Sequence, residues 1–248
     1  MPGAVLLTGA TSGLGLELAR LYASKGAPLI LVGRKPLAEL DSFLFTPENY
    51  CQADLSQPKS VETILKFLRS TQIEKPLLLI HNAGVGFYGE PSAHSDEEVK
   101  KLLETNLFTP IALTHALLPR TRKVVFISSV VAEVPAPDYA VYGASKAALD
   151  AFARSLRLET RGTPSVQSVH PGAIRTQMHA KSGVPEGKFD IKRFPGAEEV
   201  AEEVFRAVSG GRSDVTIGVN NKLLRLAGTY LGVPLDKLMR SRAERDKR

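Results

Sequence analysis

The stretch "AVLLTGATSGLGLELARLYASKG", residues 4–26, decides the fold of this chain. Its first part, "AVLLT", is apolar throughout, as expected of a strand covered on both faces. "LGLELARLYASKG" instead spaces its apolar residues as a helix does. Between them Gly9, Gly13 and Gly15 close the strand and open the helix. Glycine at such a junction permits positive φ, lets a pyrophosphate approach the backbone and lets the helix pack closely on the sheet, while the helix N-terminus favours an anion. The spacing is G-x-x-x-G-x-G rather than G-x-G-x-x-G, and no Lys-Ser/Thr pair follows, which argues against nucleotide hydrolysis. A nucleotide is expected to bind here.

The same alternation continues downstream. "PLILVG", "PLLLIHN", "KVVFISS" and "SVQSVHPG" are short apolar runs, and "VETILKFLRSTQ" and "ASKAALDAFARSLRLE" are helical patterns between them. Apolar strands separated by helices predict an α/β fold: a Rossmann-type, doubly wound parallel sheet covered on both faces. The 248 residues, 43% of them hydrophobic, suffice for one large core, so a single domain over 1–248 is expected, with residues 219–248 as a short helical C-terminal extension. Residues 181–196, "KSGVPEGKFDIKRFPG", are rich in Gly, Pro and Lys and predict a flap. The second strand ends at Gly33, Arg34 and Lys35, where an acidic residue would accept from a ribose 2′-hydroxyl. Two cations there suit a 2′-phosphate, which favours NADP(H) over NAD(H).

Composition narrows the chemistry. Cys51 is the single cysteine, so no internal disulfide or cysteine-cluster zinc site is possible, and the five histidines show no metal-ligand spacing. Metal-free chemistry is expected. The net charge of +6 is concentrated in residues 220–248, where eight cations face three carboxylates, and no basic face with interleaved aromatics accompanies it. Nucleic acid is therefore not an expected partner. No run approaches the ~18 apolar residues of a membrane span, and "MPGAVLLTGA" has no charged segment ahead of its apolar stretch, so a cytoplasmic protein without membrane contact is expected.

Five ordered motifs carry a family resemblance. "TGATSGLG" (8–15), "ADL" (53–55), "NAG" (82–84), "YGASK" (142–146) and "PGAIRT" (171–176) resemble, in order and spacing, the motifs of short-chain dehydrogenases/reductases. The resemblance implies a catalytic tetrad of Asn106, Ser129, Tyr142 and Lys146, with Ser129 thirteen positions before Tyr142. It also implies cofactor contacts from Gly9, Thr11, Ser12, Gly13, Leu14 and Gly15, from Asp54 and Leu55, from Asn82, Ala83 and Gly84, and from Tyr142 and Lys146. Pro171, Gly172 and Ile174 complete that set, and Thr176 would meet the nicotinamide carboxamide. Ala132 stands where the family often has glycine, and Glu133 follows it, which disfavours an acidic substrate.

The chemistry of those residues agrees with the resemblance. A free phenol has a pKa of about 10. One helical turn away, the Lys146 ammonium would favour the phenolate, as would an oxidised nicotinamide, making Tyr142 a proton donor for ketone reduction or a base for alcohol oxidation. Ser129 would bond the carbonyl oxygen where charge develops, and Asn106 would hold a water that links Lys146 to solvent. Val85, Phe87, Tyr88, Val134, Tyr139, Met178, Val184, Phe189 and Phe194 are expected to wall an apolar pocket suited to a hydrophobic ketone or aldehyde, with His179 beside it.

Two other classes use parts of this pattern: a nucleotide-sugar epimerase or dehydratase, and a non-catalytic NADP(H) sensor. The first usually needs a larger C-terminal substrate domain, and the second has no use for a poised phenol. The resemblance further implies a homodimer or homotetramer paired through the helix near Asp96 and the Tyr142 helix, to which Leu149, Phe152, Ala153 and Leu156 would lend an apolar stripe. The extension is expected to pack beside the active site with partial lid character, through two apolar patterns containing Leu223, Leu224, Leu226, Leu231, Leu235, Leu238 and Met239 and broken at Gly232 and Pro234.

Overall fold

The computed structural model describes residues 3–71, 73 and 77–245, the side chains of residues 235, 238 and 242–245 excepted. Seven strands form one sheet: β1 (Ala4–Thr8), β2 (Leu29–Gly33), β3 (Tyr50–Gln52), β4 (Leu77–His81), β5 (Thr121–Ile127), β6 (Ser165–His170) and β7 (Asp214–Thr216). Their order is β3-β2-β1-β4-β5-β6-β7, and every pairing is parallel. The winding reverses between β1 and β4, which opens a crevice at the carboxyl ends of those two strands.

Successive strand side chains point to opposite faces, so each apolar strand feeds two cores. Val5, Leu7, Leu31, Ile80 and Val125 meet α1 (Gly13–Ser24) and α7 (Ala197–Ser209) on one side. Leu6, Ile30, Val32, Leu79, Val124 and Phe126 meet α2 (Ser60–Ser70), α4 (Thr109–Leu117) and α5 (Ala140–Glu159) on the other. Burial on both faces is why these strands carry no polar alternation. The three-residue edge strands β3 and β7 escape sequence periodicity because they are too short to show it. α3 (Asp96–Leu103) starts at a capping box in which Ser95 and Glu98 satisfy each other's backbone N–H groups.

The apolar stripe on α5 faces the sheet. Leu149, Ala153 and Leu156 are buried against the sheet, and Phe152 sets its ring edge-on to Phe126.

The extension forms α8 (Val219–Tyr230) and α9 (Gly232–Arg245). The break falls beside Gly232 as expected, and Pro234 sits in the first turn of α9, where its missing N–H costs no helical bond. The leucines do not anchor α8, however: Leu223 and Leu226 are 64% and 54% exposed. Its inward face is polar or small instead. Arg225 bonds Glu133 and Asp214, a Cβ on Gly228 would lie 2.5 Å from the Glu133 carbonyl, and Asn221 packs on Gly172. The expected roles of the Leu235 and Leu238 side chains and of the terminal cations from Arg242 on lie outside the described side chains. Among the described residues no helix is long and apolar enough to cross a membrane.

Candidate active site

The crevice between β1 and β4 is held by side chains that reach across it. Thr8 Oγ1 accepts the backbone N–H groups of Asn82 and Ala83 at 3.1 Å each, and Asn82 Nδ2 donates to the carbonyls of Thr8 and Gly9 at 3.0 and 3.2 Å. Gly9 and Gly13 take φ of +68° and +55°, and a Cβ at Gly15 would sit 2.1 Å from the Gly9 carbonyl, so only glycine fits there. Ser12 precedes α1 without a side-chain capping bond, leaving the first-turn N–H groups turned to the crevice. Thr8 is absent from the sequence-derived site, although a polar residue ending an apolar strand is the signal that marks it.

One cleft of about 740 Å³ gathers nearly all the expected cofactor residues. It runs from Arg34, Asp54 and Leu55 past Gly9, Thr11, Ser12, Gly13, Leu14 and Gly15, then along Asn82, Ala83 and Gly84. It ends at Ser129, Tyr142 and Lys146, with Pro171, Gly172, Ile174 and Thr176 forming the opposite wall. Thr176 lies over the glycine loop, its Cγ2 3.2 Å from where a Gly13 Cβ would stand. Of the two cations expected at the ribose, Lys35 lies outside the cleft: it is exposed, and its carbonyl accepts from the Tyr50 hydroxyl at 2.6 Å. The Arg34 guanidinium lines the cleft and forms no ion pair with a described residue.

Tyr142 lies in the first turn of α5 beside Ser129, which follows the end of β5. Burial pushes the phenol up to about 12, and its hydrogen bond with Ser129 pulls the other way. Lys146, only 3% exposed, donates from Nζ to the Ile127 carbonyl at 2.9 Å and lies 5.8 Å from the centre of the Tyr142 ring. Burial lowers its pKa to about 8, against a raising contribution from Asp150. The expected phenolate stabilisation by Lys146 is therefore outweighed in the free protein, because burying the phenol disfavours its charged form more strongly. At neutral pH Tyr142 is a neutral acid.

Asn106 stands behind the cleft wall. It sits in a π-helical turn, Glu104–Phe108, fully buried and outside the cleft lining. Its Oδ1 accepts from Val85 N–H at 2.9 Å, while Nδ2 donates to the Val85 carbonyl at 2.9 Å and to Ser145 Oγ at 3.1 Å. An amide so committed fixes the segment after Gly84 against α5. Gly84 lies between Lys146 Nζ and Asn106 Oδ1, which a Cβ there would meet at ordinary van der Waals distances of 3.5 and 3.6 Å.

Of the expected pocket walls, Val85, Phe87, Tyr88, Tyr139, Met178, Phe189 and Phe194 line the cleft, together with His179. Val134 and Val184 do not: Val134 packs beneath α8, and Val184 belongs to a turn of the flap. Glu133 is also turned away, held by Arg225 at 2.6 and 2.7 Å, and so does not act on a substrate's charge from the pocket mouth. Sequence reasoning missed Lys101, Lys181 and Lys188, which do line the cleft, and Met239, which α9 brings to it.

The model of the short-chain dehydrogenase family matches residues 3–186. The chain belongs to the short-chain dehydrogenase family. It is 33% identical over 240 residues to the rat dehydrogenase/reductase SDR family member 7B, covering 86% of this chain and 72% of that one. It is also 33% identical over 218 residues to sulfoacetaldehyde reductase 2 of Chromohalobacter salexigens, covering 83% and 82%. Among solved structures, a short-chain dehydrogenase from Sphingobium yanoikuyae in complex with NADPH matches with a TM-score of 0.76 and 28% identity over 95% of this chain and 96% of that one. As a short-chain dehydrogenase the chain is an oxidoreductase, and its cleft fits the family's dinucleotide. The glycine cradle, the uncapped α1 N-terminus and the uncommitted Arg34 are the groups that would hold the pyrophosphate and the ribose end.

Proposed function

We propose that this short-chain dehydrogenase is an NADP(H)-dependent carbonyl reductase that reversibly reduces a hydrophobic ketone or aldehyde to its alcohol, with Tyr142 as proton donor. The observation that carries this reading is the buried Tyr142 hydroxyl, neutral at physiological pH, set beside Ser129 in the cleft that holds the glycine loop. Bound NADPH supplies the hydride. Ser129 and Tyr142 both direct hydroxyl groups at the position of the carbonyl oxygen, and Tyr142 delivers its proton as negative charge develops there. Lys146, charged below a pKa of about 8, lowers the cost of the phenolate left behind. Phe87, Tyr88, Tyr139, Phe189 and Phe194 exclude water and offer apolar contact to the rest of the substrate. The NADPH complex of the Sphingobium protein supports the choice of cofactor.

The test is Tyr142→Phe. Turnover of a ketone and aldehyde panel, followed by NADPH oxidation, should fall at least ~10²-fold while NADPH still binds. Near-normal activity in that variant refutes the mechanism. A wild type that binds NADPH but turns over no carbonyl leaves a sensor.

A second reading rests on Lys101, Lys181 and Lys188, three cations along the cleft. They favour a carbonyl substrate with an anionic tail, a reading that the name of the sulfoacetaldehyde reductase relative also supports. Comparing a neutral aldehyde with a sulfonated one of equal length decides between the two.

A further inference from the structure

Val219, Leu223, Leu226 and Tyr230 of α8 recur at intervals of four, three and four residues, which sets them on one face of the helix. They are between 54% and 78% exposed, and Leu231 and Val233 carry the row past the helix break at 55% and 69%. The opposite face fixes the direction in which the row points. Arg225 pairs there with Glu133 and Asp214, and Gly228 lies against the Glu133 carbonyl, so turning the leucines inward would break two ion pairs. A contiguous apolar row held outward in this way marks a surface that meets something other than water.

Charge decides what covers it. α8 carries no carboxylate, and Lys222 stands exposed on the flank of the row. On α9 Val233, Lys237 and Arg240 share an exposed face, while Met239 lines the cleft from another. Asp236 is the one exposed carboxylate among the described side chains of the extension. In the sequence, residues 220–248 set eight cations against three carboxylates and so hold five of the chain's net six positive charges. A second copy seated on the row about a two-fold axis would bring one basic segment against another. An anionic leaflet offers the reverse, acyl chains for the leucines and negative headgroups for the cations. Tyr230, apolar in its ring and polar at its tip, suits the level between the two.

We propose that α8 and the start of α9 dock on the surface of an anionic phospholipid bilayer, with the Val219–Val233 row in the acyl boundary and Lys222 and Lys237 among the headgroups. Lying on a bilayer, unlike crossing it, needs no long apolar helix. The lack of an apolar run, on which the expectation of no membrane contact rests, therefore bears on spanning alone. Docking of this kind concerns where the protein sits and holds whichever carbonyl it reduces.

The intact protein should sediment with vesicles of equal parts phosphatidylserine and phosphatidylcholine, and far less with phosphatidylcholine alone or in high salt. Failure to sediment with either overturns the proposal, as does equal binding to both. Lys222→Gln combined with Lys237→Gln should weaken binding roughly 25-fold, about fivefold for each cation. Leu223→Ser combined with Leu226→Ser should weaken it at least ~10-fold. Both leucines face solvent, so thermal stability and NADPH affinity should keep their wild-type values in that variant. Vesicle binding that survives these changes places the lipid contact elsewhere and refutes the assignment. Because the sequence has no tryptophan, Tyr230→Trp reports from the row itself, and it decides even if the leucine variant is unstable. Its emission should move to the blue on anionic vesicles and be quenched by brominated acyl chains. An emission unmoved while the protein sediments is equally decisive against docking here. Light scattering that finds a dimer in the wild type and a monomer in the leucine variant would give the row to a second copy and overturn the proposal too.

Discussion

Thr8 and Asn82 are tied to each other twice, once through the Thr8 hydroxyl and the Asn82 backbone N–H and once through the Thr8 carbonyl and the Asn82 side chain. The pair joins β1 to the segment after β4 at the point where the sheet reverses its winding. Asn82→Ala removes the side-chain amide that donates to the Thr8 and Gly9 carbonyls, leaving both without that partner. Urea unfolding should show a loss of about 1–3 kcal/mol, and NADPH should bind roughly tenfold more weakly. Reduced stability with unchanged NADPH affinity would show that the tie serves the sheet alone.

Arg34 faces the cleft and Lys35 does not, so cofactor preference should rest on one cation. Arg34→Asp is expected to weaken NADPH by roughly ten- to a hundred-fold, with NADH less affected. Lys35→Ala should change neither. The ratio of kcat/KM for the two cofactors is the measurement, and a ratio unmoved by Arg34→Asp contradicts the assignment.

His81 is buried against Phe126 and bonds Thr114 at 2.8 Å, and burial lowers its pKa to about 3. Its ordinary value is about 6.5. Between those values the unfolded chain binds a proton that the folded chain refuses, so stability falls as pH drops through 6.5 towards 3. His81→Gln can keep the bond to Thr114 without a group that titrates. Between pH 6 and 5 it should lose about 1 kcal/mol less than the wild type, a difference that urea unfolding at the two pH values measures. Parallel losses in both proteins would remove His81 from the acid response.

Gly228 is where α8 comes closest to the segment that follows Ser129. With a Cβ there 2.5 Å from the Glu133 carbonyl, Gly228→Ala must push the helix outward and strain the Arg225 contacts. Overpacking of this kind costs about 1–3 kcal/mol. Thermal unfolding should record that loss, and kcat should fall with it if Ser129 acts as proposed, because Glu133 lies four residues after Ser129. Wild-type kcat alongside the lowered stability would separate α8 from catalysis.

The fold and most of the site are legible in the sequence because they rest on local rules. Gly9, Gly13 and Gly15 declare a strand-to-helix turn, and Tyr142 and Lys146 share a helix face by spacing alone. What stays hidden depends on contacts between distant segments. His170 shows no ligand-like spacing to Asp150 or Glu133, yet sheet order brings all three together. The stripe of Leu149, Ala153 and Leu156 has a visible period, but which neighbour it meets is decided by the sheet beneath it. Asn106 has a readable identity, while the partners that use up its amide come from the segment after β4 and from α5. On α8 the apolar pattern misleads outright, since Arg225, Gly228 and Asn221 hold the helix and the leucines face away.

The sheet ends on both sides in strands of three residues, Tyr50–Gln52 and Asp214–Thr216. A rim so short offers little unpaired backbone for another chain to continue. On the second side Arg225 also grips Asp214, placing a guanidinium over the outermost ribbon. Zippering of neighbouring molecules through their margins is thereby discouraged even in concentrated solution. The rim is thus closed to strand addition by its brevity on both sides and, on one, by a paired cation.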